Sequence, residues 1–420
     1  MLTEYKTLFS NKNFIYLWVS QLLSQLIINF VNFILLYKIF SETESSIATS
    51  FLWVTYALPA IIIGPIAAAS VDMLNRKKTL MWTNLLQSIT ILAYAFLQER
   101  SLFLLYTVAL LYSLFNQFYV PAEIATLPSV VKTEFLAQAN GLFFMTQQAS
   151  VIIGFGIAGL ILEVLGFFFS LILASVFLFM AFISVSFLPK MRSEESIPHD
   201  FEDAIAKFFN RISEGYHFIK EDKLILYPFL LIIILQISLA VIAVNAPVLA
   251  LQVFRIPLHL AGALLVVPAG IGAMIGSVFV PRLLKRGYRK RKIIDYSLMS
   301  VGLVLLLLTF LIPLVSQNYG VLVSIVLILL LGLSFVGVLI PAQTFLQEKT
   351  PGGLRGRVFG NIWFVSTIAT VFPIIVSGAV TEIFGARFIT LMLGVVFISV
   401  YLFLKSRKFI LANNSSESPH

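Results

Sequence analysis

The sequence predicts an all-α membrane protein of twelve transmembrane helices, set out as two pseudo-symmetric six-helix bundles. Three observations predict it. Hydrophobic residues fill 59% of the 420 positions and charged residues only 12%, where a soluble domain carries about a quarter. Apolar runs recur at the roughly 20 residues a helix needs to cross a bilayer core. Lys and Arg then sort onto one side of those runs.

The runs lie near 14–39, 47–71, 79–97, 102–127, 136–163 and 166–188, and, after a polar interval, near 224–252, 258–283, 292–314, 318–345, 358–382 and 386–404. They do not alternate apolar with polar, as Leu303–Phe310 illustrates, so barrel strands are excluded. The first run is too long for the core of a cleaved signal and reads as the first span. Of the 29 Lys and Arg, only Lys38, Arg100, Arg255 and Arg387 fall opposite the rest. The positive-inside rule then puts both termini and the central loop in the cytoplasm of a cell-membrane protein.

Composition narrows the chemistry. There is no cysteine, which excludes disulfides and thiolate sites. The four histidines, His199, His217, His259 and His420, avoid the interiors of the apolar runs, so a buried His relay or metal centre is not expected. The net charge of +9 is spread between spans with no continuous patch, so no nucleic-acid partner is expected. No phosphate-binding Gly-x4-Gly-Lys-Ser/Thr loop occurs, which leaves an ion gradient as the energy source. No cofactor and no metal are expected.

Four segments follow: a first bundle over 1–188, a linker over 189–223, a second bundle over 224–405 and a tail over 406–420. In the linker, Ile205, Phe208, Phe209, Ile212, Tyr216 and Ile219 recur at helical spacing, with Asp200 placed to cap and Asp203 in the first turn. An amphipathic helix on the inner surface is predicted. The halves echo one another. Pro121-Ala122 returns as Pro341-Ala342, Gly159-x3-Glu163-x2-Gly166 returns as Gly378-x3-Glu382-x2-Gly385, and Gly64 returns as Gly272. Two repeated bundles around a cavity are the architecture of secondary transporters.

The segment from Gly64 through Asp72 to Arg76, Lys77 and Lys78 resembles the loop 2–3 signature of the major facilitator superfamily, with Ala68, Met73 and Asn75 standing where that signature has Gly, Arg and Gly. Val120-Pro121-Ala122 with Pro128 and Asn140, and Pro351-Gly-Gly-Leu-Arg355-Gly-Arg357, are similar to the subgroup of enterobactin exporters and macrolide-efflux proteins. Gly154 to Gly159 partly matches the superfamily's antiporter motif, with Phe155 in place of Pro. The resemblance spans the chain and implies the major facilitator fold and export. It also implies a gate in which Gly64, Asp72, Arg76 and Lys77 act with Arg355 and Arg357; a carboxylate facing two guanidiniums at a helix start is favourable. Arg76 to Lys78 also suit lipid head groups, as does the run from Arg282 to Lys292.

Polar residues in lipid face the bundle interior. The fourth span carries Tyr112, Asn116, Tyr119 and Glu123 on one face. Glu123 is a candidate to bind a proton or a cationic group, or else to hydrogen-bond between helices; it sits roughly 30 Å along its span, near the inner edge. Gln21, Gln25, Asn29 and Asn32 form a stripe on the first span and read as cavity wall. Gln147, Ser238 and Asn245 are further cavity candidates, and Ser366, Thr370, Pro373 and Ser377 mark an inward face. No Lys or Arg lies at mid-depth, so the cavity suits neutral or amphipathic molecules. The expected function is export of lipophilic or amphipathic small molecules, such as drugs, macrolides or siderophores, by a monomeric, proton-driven carrier. Carriage of lysophospholipid-like amphiphiles, or uptake, is the alternative. An enzyme is not expected, because no nucleophile–base pair or ligand cluster is present.

Overall fold

The computed structural model describes residues 7–70, 74–189 and 201–406, with side chains left out at 68–70, 137, 201–209, 211, 317–318, 352–353 and 355–356. Its helices are α1 (Lys12–Thr43), α2 (Ser46–Ile62), α3 (Gly64–Ser70), α4 (Arg76–Leu97), α5 (Phe103–Val130), α6 (Leu136–Ser186), α7 (Phe201–Glu221) and α8 (Lys223–Val244). They continue as α9 (Val267–Lys285), α10 (Lys290–Phe310), α11 (Gln317–Lys349), α12 (Gly352–Phe384) and α13 (Ala386–Ser406). Short turns join α8 to α9, two of them wound as π-helix at Leu249–Val253 and Gly262–Val266.

Ten of the described helical stretches are long and apolar enough to cross a membrane. One of them, α6, is two spans in one, because Gly166 leaves helical backbone at φ 73°, ψ 170°. The second span is the shorter α2, continued by α3. Twelve crossings result.

The reversal at Gly166 is visible in what each half of α6 touches. Before it, Trp18 Nε1 donates to Thr146 Oγ1 at 2.9 Å, and Gly154 packs on Leu26 and Asn29. After it, Phe167 lies under Lys38, and Ser184 donates to the Tyr16 carbonyl at 2.8 Å. The first half therefore runs along α1 in the same direction and the second returns against it. Only glycine is at ease at that φ and ψ. Gly385, between α12 and α13, repeats the corner at φ 82°, ψ 163°.

The chain divides into two compact units, Met1–Glu44 with Leu52–Phe208, and Ser45–Phe51 with Phe209–His420. In the first, α1 packs on α6, α4 on α5 and α6, and α3 on α5. Asn11 fixes the start of α1: its Oδ1 accepts from the Asn13 and Phe14 N–H groups, and its Nδ2 donates to the Val130 carbonyl at the end of α5. Asn75 caps α4 by accepting from the Lys78 N–H at 3.0 Å, a helix-starting role that a glycine fills less well.

In the second unit α8 packs on α11 and α12, α9 on α11, and α10 on α11 and α13. The α9–α11 pair is the tightest: Gly272 faces the Leu329 carbonyl and Gly332 faces the Ala269 carbonyl, the close approach that small residues allow in lipid. Ser45–Phe51 belongs here as well. Glu382 accepts from Ser45 Oγ at 2.9 Å and from the Ile47 N–H at 3.2 Å, and Ser50 Oγ donates to the Ile374 carbonyl at 3.1 Å. The linker helix α7 docks on the start of α12: Glu214 pairs with Arg357, Asn361 Nδ2 donates to the Ile212 carbonyl at 2.9 Å, and Gly215 lies against Arg357 and Asn361. Asp200, the expected cap, lies outside the described residues.

Large side chains such as Phe103, Leu314, Phe372 and Ile383 point outward. That surface would be a liability in water and is ordinary against lipid tails.

Candidate functional site

The polar face of α5 lies within the first unit. The face of α5 bearing Tyr112, Tyr119 and Glu123 is buried, reaching α1 through Tyr119 and α4 through Tyr112. Glu123 is 4% exposed and Tyr119 1%. Tyr119 Oη donates to Glu123 Oε1 at 2.9 Å. On α1, Ser20 Oγ lies 3.3 Å from Tyr119 Oη. On α4, Asn84 Nδ2 donates to Ser20 Oγ at 3.0 Å and Asn84 Oδ1 accepts from Ser24 Oγ at 2.9 Å. Five polar groups from three helices thus form one hydrogen-bonded chain ending on a carboxyl group. Among the described residues no Lys or Arg pairs with Glu123; Arg76 Nη1 donates to the Ala125 carbonyl, two residues further on, at 3.1 Å.

Tyr119 therefore stands inside helix packing, and Tyr112 is buried too, with Gln87 Nε2 donating to its carbonyl at 3.3 Å. Asn116 is half-buried. On the α1 stripe, Gln21 is buried and donates to the Phe143 carbonyl at 3.0 Å, Gln25 and Asn29 are half-buried, and Asn29 Nδ2 donates to the Gln25 carbonyl at 2.7 Å. Asn32 and Tyr56, with Trp53, Leu35, Leu52 and Ala109, line a small cleft between α1, α2 and α5. Gln147 is exposed on α6.

In the second unit, Ser238 is turned back onto the Ile234 carbonyl at 2.8 Å. Asn245 Nδ2 donates to Ser377 Oγ at 3.0 Å, joining the end of α8 to α12. Ser366 is buried with no hydrogen-bond partner for its hydroxyl among the described residues. Gln21 Oε1, Trp53 Nε1 and Asn245 Oδ1 are likewise buried without a partner among the described residues. Such atoms are costly to leave unmatched and mark places where water or a bound molecule would bond.

The gate residues are described only in part. Asp72 lies outside the described residues, as does the side chain of Arg355. Gly64 approaches Gln117, Arg76 is held by the Ala125 carbonyl, and Lys77 reaches the Leu188 carbonyl. Arg357 is engaged by Glu214 of the linker helix. Among the described residues no group of three or more His, Asp or Glu side chains converges as a metal site would require.

Ser20, Ser24 and Asn84 carry the chain to Glu123 and do not stand out when polar faces are sought span by span. The available signal was the spacing of Asn84, Gln87 and Ser88 on α4, one helical turn of amide and hydroxyl groups in the third span.

Comparison with known proteins places these features in context. The family model of the Major Facilitator Superfamily matches residues 17–373. YfiS of Bacillus subtilis, an uncharacterised MFS-type transporter, is 25% identical over 369 residues, covering 86% of this chain and 85% of YfiS. The candidate bacilysin exporter BacE of Bacillus amyloliquefaciens is 26% identical over 381 residues, covering 88% and 90%. Among solved structures, a variant of the nucleoside transporter NupG superposes with TM-score 0.74 at 14% identity, covering 94% of this chain and 99% of that one. A bacterial homologue of the iron transporter ferroportin, in an inward-facing state, gives TM-score 0.70 at 17% identity, covering 93% and 98%. The fold is the one these transporters share.

Proposed function

Because the chain belongs to the Major Facilitator Superfamily, we propose that it is a secondary active carrier that exports small lipophilic or amphipathic molecules across the cell membrane, driven by the proton gradient. It works by alternating access, as a monomer, with both termini in the cytoplasm. The observation that carries the coupling is Glu123, a buried carboxyl group bonded to Tyr119 and paired with no cation among the described residues. A group in that setting has a partner in either protonation state: ionised, it accepts from Tyr119, and protonated, it donates to it. Gaining or losing the proton changes the charge inside the bundle by a full unit, which is what a coupling site must do.

Export is favoured by the relative described as a candidate bacilysin exporter and by the sequence likeness to enterobactin and macrolide exporters. The cargo follows from the lining. The α1 stripe is neutral amide, the cleft at Asn32 adds Trp53 and Tyr56, and the unmatched Trp53 N–H offers a donor. Such a surface binds an apolar body with a few hydrogen-bonding groups. Lipid-like cargo is the second reading, favoured by the 39 phenylalanines.

The test is transport of erythromycin and of the dye ethidium by everted vesicles. Wild-type protein should accumulate at least one of them under an imposed proton gradient and lose it when a protonophore is added. Glu123→Gln should bring gradient-driven accumulation down to passive leak while leaving the protein folded and inserted. Accumulation by Glu123→Gln that still follows the gradient removes Glu123 from the coupling. Movement only in the opposite direction makes the carrier an importer, and movement of lysophospholipid alone selects the second reading.

A further inference from the structure

The hydrogens of the buried chain all point one way. Ser24 donates to Asn84, Asn84 donates to Ser20, and Tyr119 donates to Glu123. Tyr119 has spent its hydrogen on the carboxyl group, and Ser20 Oγ already accepts from Asn84, so the link between them must run from the Ser20 hydroxyl to Tyr119 Oη. Four donors in series converge on one acceptor. Such chains polarise together, so the terminal group is felt at the far end.

We propose that Tyr119, Ser20 and Asn84 are positioning residues that carry the protonation state of Glu123 to helix α1 at Ser24, next to the polar stripe of Gln21, Gln25, Asn29 and Asn32. The proposal rests on Glu123 being the proton carrier. The proton balance is simple. A proton from water adds to Glu123 Oε1, and the carboxyl O–H then donates to Tyr119 Oη. Tyr119 turns its hydrogen towards Ser20 Oγ. Ser20 must find another acceptor for its own, in competition with Ser24 for Asn84 Oδ1 or at a backbone carbonyl of α1. No heavy-atom bond changes, one proton is gained, and the polarity of the chain reverses as far as α1. A bistable hydrogen-bond chain of this kind is a discrete two-state element.

The surroundings favour this route. Tyr119 is the titratable group that touches Glu123. From α4, Arg76 donates to the Ala125 carbonyl and Lys77 to the Leu188 carbonyl. Helix α1 presents the Ser20 and Ser24 hydroxyls, and α6 contributes the apolar Ala139 and Phe143 to the cluster around Tyr119. With no competing charge in contact, the chain is where a change at Glu123 is felt.

The first readout needs no substrate. Infrared titration of the purified protein reads the carboxyl C=O stretch, and the band belonging to Glu123 is the one that E123Q removes. Tyr119→Phe should move that band to higher wavenumber by taking away its hydrogen bond. Asn84→Ala and Ser20→Ala, neither of which touches Glu123, should move it in the same direction by less, and should shift the pH profile of transport. Gln87→Ala, on the same helix and outside the chain, should leave the band in place. If Asn84→Ala and Ser20→Ala coincide with wild type, or if Gln87→Ala shifts the band as much as they do, the proposal falls. Should Tyr119→Phe not fold, these three variants still decide. The underlying reading fails separately, by gradient-dependent transport that survives in E123Q.

Discussion

Gly272 has no room for one more carbon. A Cβ built there would lie 2.8 Å from the Leu329 carbonyl carbon and would overlap its oxygen. Gly272→Ala must therefore push α9 away from α11, at about 1–3 kcal/mol as overpacking usually costs. Thermal unfolding in detergent should show a clear fall in midpoint. Gly360 is the contrast, since a Cβ there meets nothing within 4 Å. Gly360→Ala should hold the midpoint or raise it, by about 0.5–1 kcal/mol from the stiffer helix. Sequence alone pairs Gly272 with Gly64 as equivalent repeat positions, yet a Cβ at Gly64 would meet only Gln117 Oε1, at 3.5 Å. Repeat spacing reveals that two positions correspond. It does not reveal how close a neighbouring helix comes, because that distance is set by residues far away in the chain.

At the scale of single elements, α7 shows the same division. Its 3.6-residue apolar pattern is plain from Ile205 to Ile219, and Ile219 is indeed buried. Its partner is not legible, because docking on α12 depends on a glycine and an amide over a hundred residues apart. The Glu214–Arg357 pair is 53% and 38% exposed on its two side chains, so it contributes little, about 0–1 kcal/mol as surface pairs do. Gly215 contributes more by letting the backbones meet. Gly215→Leu should therefore undock α7 and raise amide hydrogen exchange across 209–221, while Glu214→Gln should change exchange only slightly. Equal effects from the two would mean that charge, not close packing, holds the helix. Arg357 is also a residue that family likeness marks for a gate, and Glu214 of the linker helix is its partner here. The α5 site divides in the same way. Glu123 is conspicuous as a lone acid in an apolar span, whereas Asn84 and Ser20 acquire meaning only once α1, α4 and α5 are side by side.

For the whole molecule, the repeat seen in sequence reappears as helix pairing within each unit. Gly154 seats the fifth span on the first, as α12 seats on α8; α3 meets α5 as α9 meets α11; and Ser88–Ser175 joins the third span to the sixth, as Thr309–Thr390 joins α10 to α13. Span count and charge sorting are legible because bilayer thickness and the positive-inside rule act on composition alone. Reporter fusions test the expected orientation. Fluorescent protein fused after Ser406 should glow in the cytoplasm, and alkaline phosphatase fused at the 98–101 turn should be active outside; the reverse result would invert every span.

Gly166 and Gly385 leave a last consequence. Each reversal uses one glycine and almost no connecting chain. The fifth and sixth spans, and the eleventh and twelfth, are therefore expected to enter the bilayer as paired helical hairpins, which insertion assays of single and paired spans would check. A bulkier residue at either corner would then be felt while the nascent protein is being inserted, as faulty threading, before any cargo is carried.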